Sequence, residues 1–232
     1  MTRLPENVIE DFSLRDKSQV FHDRDQAGGV LAGHLKELEL SGPLVLAIPC
    51  GGVPVASRVC VDLGLQFDIL LVRKLQIPGN TEAGFGACTT DGPVFLNHDL
   101  VESLGLSPAQ IQEAEKKTRN ELYRREKIFR EGRPLPEVNG RDVVLVDDGL
   151  ASGYTMHAAV GWVKEKKCRT VTVAAPTAHL STAARLARSS DYLVCPNIRG
   201  GFSFAVADAY ERWYDLQDDE VLDILRQMEK RK

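Results

Sequence analysis

Five short runs of apolar residues recur along the chain, and each run is continuous rather than alternating with polar positions. Continuous runs of β-branched residues and leucine are typical of strands covered on both faces, as in a parallel sheet. We therefore expect five buried strands, at 44–48, 68–72, 143–147, 170–175 and 191–195.

Between these runs, apolar residues recur at helical spacing. The helical stretches are 26–40, 53–63, 156–166 and 179–190. The alternation predicts an α/β fold: a doubly wound, mostly parallel five-stranded sheet with helices on both faces. No internal repeat is visible, so residues 1–232 are predicted to form a single domain.

Two stretches interrupt the alternation between the second and third runs. Residues 83–97 read as a β-hairpin around Asp91-Gly92, a turn-forming dipeptide. Residues 107–132 read as a long charged helix, with Ser107 as its cap and a proline at its first position. Residues 75–136 are thus predicted to be an insertion that consists of a flap hairpin and a surface helix.

Charge and composition exclude several classes of protein. The 232 residues include 29 basic and 33 acidic ones, a formal net charge of −4, so we expect no nucleic-acid partner. No apolar run approaches the roughly 18 residues of a membrane span, and the N-terminus lacks the pattern of a secretion signal. The cysteines are scattered without a CxxC pair, which indicates reduced thiols and a cytoplasmic protein.

Candidate chemistry is concentrated in "VVLVDDGLASGYT", residues 143–155. Asp147 and Asp148 follow a predicted strand, at the edge of a parallel sheet where ligands bind. The small residues after them allow a phosphate to approach the backbone N–H groups and the next helix N-terminus. An acid pair suits vicinal hydroxyls, so the implied ligand is a ribose 5′-phosphate. A structural βα turn with permissive glycines is the alternative.

This stretch resembles the phosphoribosyl-pyrophosphate (PRPP) binding motif of the type I phosphoribosyltransferases. The resemblance extends to 21–35, to "VRKL" with the residues after it, and to the acidic C-terminal helix. It implies that Asp147 and Asp148 bind the ribose hydroxyls and, directly or through water, a Mg²⁺ ion. It also assigns the 5′-phosphate to the loop residues Ala151, Ser152, Gly153, Tyr154 and Thr155.

The same family has a pyrophosphate loop, which "AIPCGGVPVA" (47–56) resembles. The resemblance implies a cis peptide bond between Pro49 and Cys50, and backbone N–H groups of Gly51 and Gly52 that face the anion. Cys50 itself stands where the family places a basic residue. A tight turn without a ligand is the alternative.

Arg73 and Lys74 come at the predicted end of the second core strand and would add positive charge to the pyrophosphate site. The alternative is a solvated pair of surface cations.

A base site is implied by the resemblance of residues 200–216 to purine phosphoribosyltransferases. Phe204 matches the residue that stacks on the base, Asp208 follows it, and 196–232 would form the small hood. Packing of these aromatic residues without a ligand is the alternative. Ala151 stands where enzymes for 6-oxopurines carry a carboxylate, so Glu82 on the flap becomes the candidate general base. The flap, 76–92, is expected to be mobile because we expect few large apolar anchors in it.

The resemblance as a whole implies a Mg²⁺-dependent homodimeric enzyme that transfers the phosphoribosyl group of PRPP to a nitrogenous base. The alternative is a non-catalytic PRPP- or nucleotide-binding regulatory protein. The departures at Cys50 and Ala151 favour that alternative.

Overall fold

The computed structural model describes residues 4–78 and 80–231, without the side chains of 80–83. The strands are β1 (Val8–Ile9), β2 (Leu44–Ala47), β3 (Gln66–Ile69), β4 (Val72–Ile77), β5 (Asn80–Thr89), β6 (Val94–Leu96), β7 (Asp142–Val146), β8 (Thr170–Ala174), β9 (Thr177–His179), β10 (Tyr192–Val194) and β11 (Asn197–Arg199). The helices are α1 (Arg24–Leu35), α2 (Gly52–Leu63), α3 (His98–Ser103), α4 (Pro108–Arg130), α5 (Tyr154–Glu165), α6 (Leu180–Ala187) and α7 (Asp218–Glu229).

The central sheet is parallel and has the order β1-β10-β8-β7-β2-β3. All five apolar runs contribute a strand to it, which confirms the α/β fold class. The sheet has a sixth strand, β1, which is too short to be recognised as an apolar run. Because β7 lies between β8 and β2, the residues that follow it emerge in the middle of the sheet edge.

Two hydrophobic clusters cover the two faces of the sheet. In β7, Val143 and Leu145 belong to the cluster that contains α5 and α6. Val144 and Val146 belong to the cluster that contains α1, α2 and α7. These positions of the strand are all apolar because both of its faces are buried.

The second apolar run does not form one strand. The parallel strand β3 ends at Ile69, and the chain then enters β4, which pairs antiparallel with β5 in a separate sheet of order β4-β5-β6. The prediction that Arg73 and Lys74 end a core strand is therefore wrong, since both lie inside β4. Leucines at 70 and 71 are buried, so the apolar run conceals this change of sheet.

The inserted hairpin and helix form as predicted. Strands β5 and β6 pair antiparallel on either side of the turn at Asp91-Gly92. Helix α4 begins at Pro108 after a capping box in which Ser107 and Gln110 exchange hydrogen bonds.

The second half of β5 and the turn that follows it are anchored, contrary to the expectation of few apolar anchors. Phe85 is fully buried, and the Asp91 carboxylate accepts a hydrogen bond of 2.6 Å from the Trp162 indole on α5. From α4, the Arg119 guanidinium donates to the carbonyls of Thr89, Thr90 and Gly92. This part of the flap is therefore packed against the core.

The C-terminal segment, 196–232, divides between two places. Strand β11 pairs with β9, and residues 206–209 form a short 3₁₀ helix beside an N-terminal arm, where Phe21 bridges to Tyr210. Helix α7 instead packs its apolar face into the cluster that contains α2.

Candidate functional site

The acid pair lies at the carboxyl end of β7. Asp147 is half-buried and Asp148 is buried. The Asp148 amide donates to Oδ1 of Asp147 over 2.9 Å, which fixes the Asp147 carboxylate against the backbone of its neighbour. Both residues emerge at the carboxyl-end edge of the sheet, as predicted.

Asp148 is held by an arginine that the motif alone did not indicate. Arg24 Nε donates to Asp148 Oδ2 over 2.8 Å, and Arg24 Nη1 donates to the Tyr214 carbonyl over 2.9 Å. The guanidinium carbon lies 3.9 Å from the centre of the Trp213 ring. Only 8% of the Arg24 side chain is exposed, so this charge requires the carboxylate as its partner. The signal in the sequence was Arg24 itself, a basic residue inside the 21–35 stretch.

The two carboxyl groups have different electrostatic environments. Burial and the adjacent Asp148 charge raise the pKa of Asp147 well above its ordinary value. Burial also raises the pKa of Asp148, but the Arg24 guanidinium opposes that rise. Asp147 therefore gains most from a cation or from donated hydrogen bonds, because Asp148 already has both.

The small-residue loop, 149–155, is held by its carbonyl groups. Thr182 Oγ1 donates to the Ala151 carbonyl over 2.5 Å, and the Arg185 guanidinium donates to the Ser152 carbonyl. Gly153 has φ +72° at the start of α5, a conformation that favours glycine. Within the described part of the chain, the amide N–H groups of 151–155 have no hydrogen-bond partner. The loop thus offers a row of donors at a helix N-terminus, as an anion site requires.

The predicted pyrophosphate loop packs directly against the acid pair. The peptide bond between Pro49 and Cys50 is cis, which confirms the prediction. A Cβ on Gly51 would lie 1.9 Å from Asp148 Oδ2, and one on Gly52 would lie 2.5 Å from the Val146 carbonyl oxygen. Only glycine allows this approach of loop and strand end.

The loop amides are not equally free. Gly52 donates its N–H to the Ile48 carbonyl over 3.0 Å, so this N–H is not exposed as expected, and contact of Gly52 with an anion stays a prediction. The N–H groups of Cys50 and Gly51 have no partner among the described residues. These two amides are the donors that the loop retains.

Cys50 has a basic neighbour although its own position is not basic. Arg125 Nη2, from α4, lies 2.9 Å from Cys50 Sγ and 2.6 Å from Asp218 Oδ1 at the start of α7. No local pattern indicated this contact, because 75 positions separate the arginine from the cysteine.

Arg73 is engaged elsewhere. Its Nε lies 2.6 Å from Glu121 Oε2 on α4, so its charge is already paired within the insertion. Lys74 follows it in β4. The structure does not place this pair at a core strand end beside the loop, because the core strand ends earlier, at Ile69.

Around the predicted base site, Phe204 is half-buried between two side chains. The Arg199 guanidinium lies 4.5 Å from the ring centre, and the His179 ring meets Phe204 edge-on at 5.7 Å. Asp208 is exposed and accepts from the Ala205 amide over 3.3 Å, so it caps the 3₁₀ helix. Stacking of a base on Phe204 stays a prediction.

Arg199 is a buried cation that the sequence did not single out. Its Nε has no hydrogen-bond partner among the described residues, and burial lowers the pKa of the guanidinium.

Glu82 lies in β5, but its side chain is outside the described residues, and its role as a base stays a prediction.

Comparison with known proteins identifies relatives of this arrangement. The family model of the phosphoribosyl transferase domain matches residues 24–210. "Putative phosphoribosyl transferase Rv0571c" of Mycobacterium tuberculosis H37Rv is 39% identical over 207 residues, 89% of this chain and 46% of its own length. The chain thus spans about half the length of the curated relatives it matches.

A crystal structure shares the whole fold. TT1426 from Thermus thermophilus superposes with a TM-score of 0.76 and 36% identity, over 90% of this chain and 98% of its own.

None of the helices in residues 4–78 and 80–231 has the length and apolar character of a membrane span.

Proposed function

The chain belongs to the phosphoribosyl transferase domain family, and from that membership we propose that it transfers the 5-phosphoribosyl group of PRPP to a nitrogenous base and releases pyrophosphate. The observation that carries this proposal is the meeting of three parts at one sheet edge. They are the amide-rich loop at 151–155, the acid pair, and the loop at 49–52 that packs on Asp148.

Each part suits one portion of PRPP. The free amides of 151–155 and the N-terminus of α5 would bind the 5′-phosphate. Asp147 and Asp148 would accept hydrogen bonds from the ribose hydroxyls, and the amides of Cys50 and Gly51 would bind the pyrophosphate. The C1–oxygen bond to pyrophosphate breaks, a C1–nitrogen bond forms, and the base loses a proton. The electron pair of the broken bond leaves with the pyrophosphate.

The acid pair fits a Mg²⁺ ion that is shared with the substrate. Among the described residues no cluster of three or more acidic, histidine or cysteine side chains could hold a metal by itself. Mg²⁺ commonly takes one or two carboxylates, which Asp147 and Asp148 could supply, and completes its shell with substrate oxygens and water. A bound Mg²⁺ would neutralise charge on the pyrophosphate.

The acceptor base would meet the hood. Phe204 is the proposed stacking surface, and stacking on an aromatic ring contributes roughly 1–3 kcal/mol. Glu82 is the proposed general base. The homodimer and the cytoplasmic location also remain proposals from the sequence.

A non-catalytic PRPP- or nucleotide-binding protein is the second candidate. One observation favours it: Ala151 leaves the phosphate loop without the carboxylate that could act as a base, and this residue is exposed. The same loop amides would then bind the ligand without turnover.

A PRPP-consumption screen distinguishes the two functions. The protein, with Mg²⁺, is offered a panel of purines, pyrimidines and pyridine carboxylates, and pyrophosphate release is measured. Release that depends on one base and is lost in Asp147→Asn supports the transferase. PRPP binding in calorimetry without release for any base would support the regulatory protein, and the absence of binding of both PRPP and nucleotides would refute both functions.

A further inference from the structure

The loop at 49–52 carries a neutral side chain where a basic one would aid an anion. Burial raises the pKa of the Cys50 thiol, so the thiol stays protonated and does not neutralise a neighbouring guanidinium. The cation that reaches this position comes from the insertion, as Arg125 of α4.

Arg125 is placed to bind an additional ligand. The aromatic ring of Phe129 lies 5.1 Å from the guanidinium carbon, a cation–π contact that helps to hold the side chain. Nη2 contacts Cys50 Sγ and Asp218, whereas Nε and Nη1 have no hydrogen-bond partner in the described part of the chain. Three N–H donors thus remain on a guanidinium that contacts the Cys50 side chain.

We propose that Arg125 supplies the pyrophosphate-binding cation of this site, in place of the basic residue that the loop lacks at Cys50. This proposal rests on the proposed transferase function. The guanidinium fork matches phosphate oxygens, and a charge-assisted pair is stronger than a neutral hydrogen bond. In the ligand-free protein, Asp218 holds the guanidinium through the 2.6 Å contact, and pyrophosphate would replace that carboxylate.

The test measures two ligands by calorimetry, pyrophosphate with Mg²⁺ and ribose 5-phosphate. Arg125→Ala should weaken pyrophosphate binding about 10- to 100-fold, the range expected for a hydrogen bond to a charged group. Ribose 5-phosphate should bind unchanged, because its phosphate occupies the separate loop at 151–155. Adding Cys50→Arg to Arg125→Ala should restore most of the pyrophosphate affinity.

Arg226→Ala is the matched control. Arg226 also joins α7 to the end of α4, through a 2.7 Å ion pair with Glu131, but it has no hydrogen bond or ion pair to the loop among the described residues. It should leave both affinities unchanged. Circular dichroism confirms that each variant folds.

Two results would overturn the role of Arg125 and leave the proposed function standing. One is wild-type pyrophosphate affinity in a folded Arg125→Ala variant. The other is an equal loss of both ligands, which would show a structural role in joining α4 to the core. If the unaltered protein binds neither ligand, the proposed function fails, and the role of Arg125 fails with it.

Discussion

Gly51→Ala tests whether the loop at 49–52 and the acid pair form one site. Gly51 has φ −60° and ψ −35°, which alanine adopts without strain, so the backbone does not oppose the change. The added methyl would lie 1.9 Å from Oδ2 and 2.3 Å from Cγ of Asp148. Both distances are far shorter than van der Waals contact, and the neighbour is a carboxylate held by Arg24.

The size of the effect follows from what must move. Either the loop shifts away from the strand end, or the Asp148 carboxylate leaves Arg24 Nε, 2.8 Å away. Overpacking typically costs about 1–3 kcal/mol, and a lost hydrogen bond to a charged group costs about 1.5–3 kcal/mol. Since only one of these rearrangements is needed, we expect a loss of about 2–3 kcal/mol of unfolding free energy. PRPP affinity should fall as well, because the loop and Asp148 no longer keep their relative positions.

Urea unfolding measures the first quantity and calorimetry with PRPP and Mg²⁺ the second. Gly33→Ala is the control, because Gly33 is exposed in α1 and an added Cβ has no neighbour within 4 Å. That change should stabilise the protein by about 1 kcal/mol through helix propensity. If Gly51→Ala leaves both stability and affinity unchanged, the packing of loop against acid pair is refuted.

Three further changes address neighbouring features. Asp147→Asn should remove measurable PRPP binding in calorimetry with little change in stability. Asp148→Asn should remove binding too and should also lower the unfolding free energy by about 2 kcal/mol, because Arg24 loses its ionic partner. Equal stability of the two variants would contradict this. Gly153→Ala and Gly140→Ala both force a left-handed residue, at φ +72° and +68°, and should each lose about 1 kcal/mol in urea unfolding. Only Gly153→Ala should lose about 1–2 kcal/mol more, because its Cβ would lie 2.5 Å from the methyl group of Thr182 in α6. Equal losses in the two variants would refute that contact. The Arg169 side chain lowers the pKa of Asp142, so ionised Asp142 stabilises the folded protein. The difference in unfolding free energy between the unaltered protein and Asp142→Asn should be constant above about pH 5 and should shrink as the pH falls below about 4. A difference that grows in acid would contradict this.

The fold was largely predictable because each strand of a doubly covered parallel sheet is a local apolar run. The same rule failed between β3 and β4, where buried leucines continue the run across two different sheets. Apolar pattern reports burial, and it does not report which strand is the hydrogen-bonding partner. Arg73 was misplaced for this reason.

The acid pair and the phosphate loop were predictable because they are contiguous in sequence. Arg24 and Arg125 were not, since they reach their partners across 124 and 75 positions respectively. A buried cation is stabilised by whatever carboxylate the fold places beside it, and local sequence does not specify that partner. Gly52 shows the same limit, because its amide is used by the turn from Ile48 that leads into α2.

Arg24 couples the acid pair energetically to the 210–214 segment, because it contacts both. Its guanidinium bridges the Asp148 carboxylate and the Tyr214 carbonyl, so a ligand that alters Asp148 changes the free energy that holds the 210–214 segment. Coupling between two sites is reciprocal, so ordering of that segment must change affinity at Asp148 by the same factor. If the proposed function holds, a base that contacts this segment should change PRPP affinity by the same factor as PRPP changes the affinity for the base.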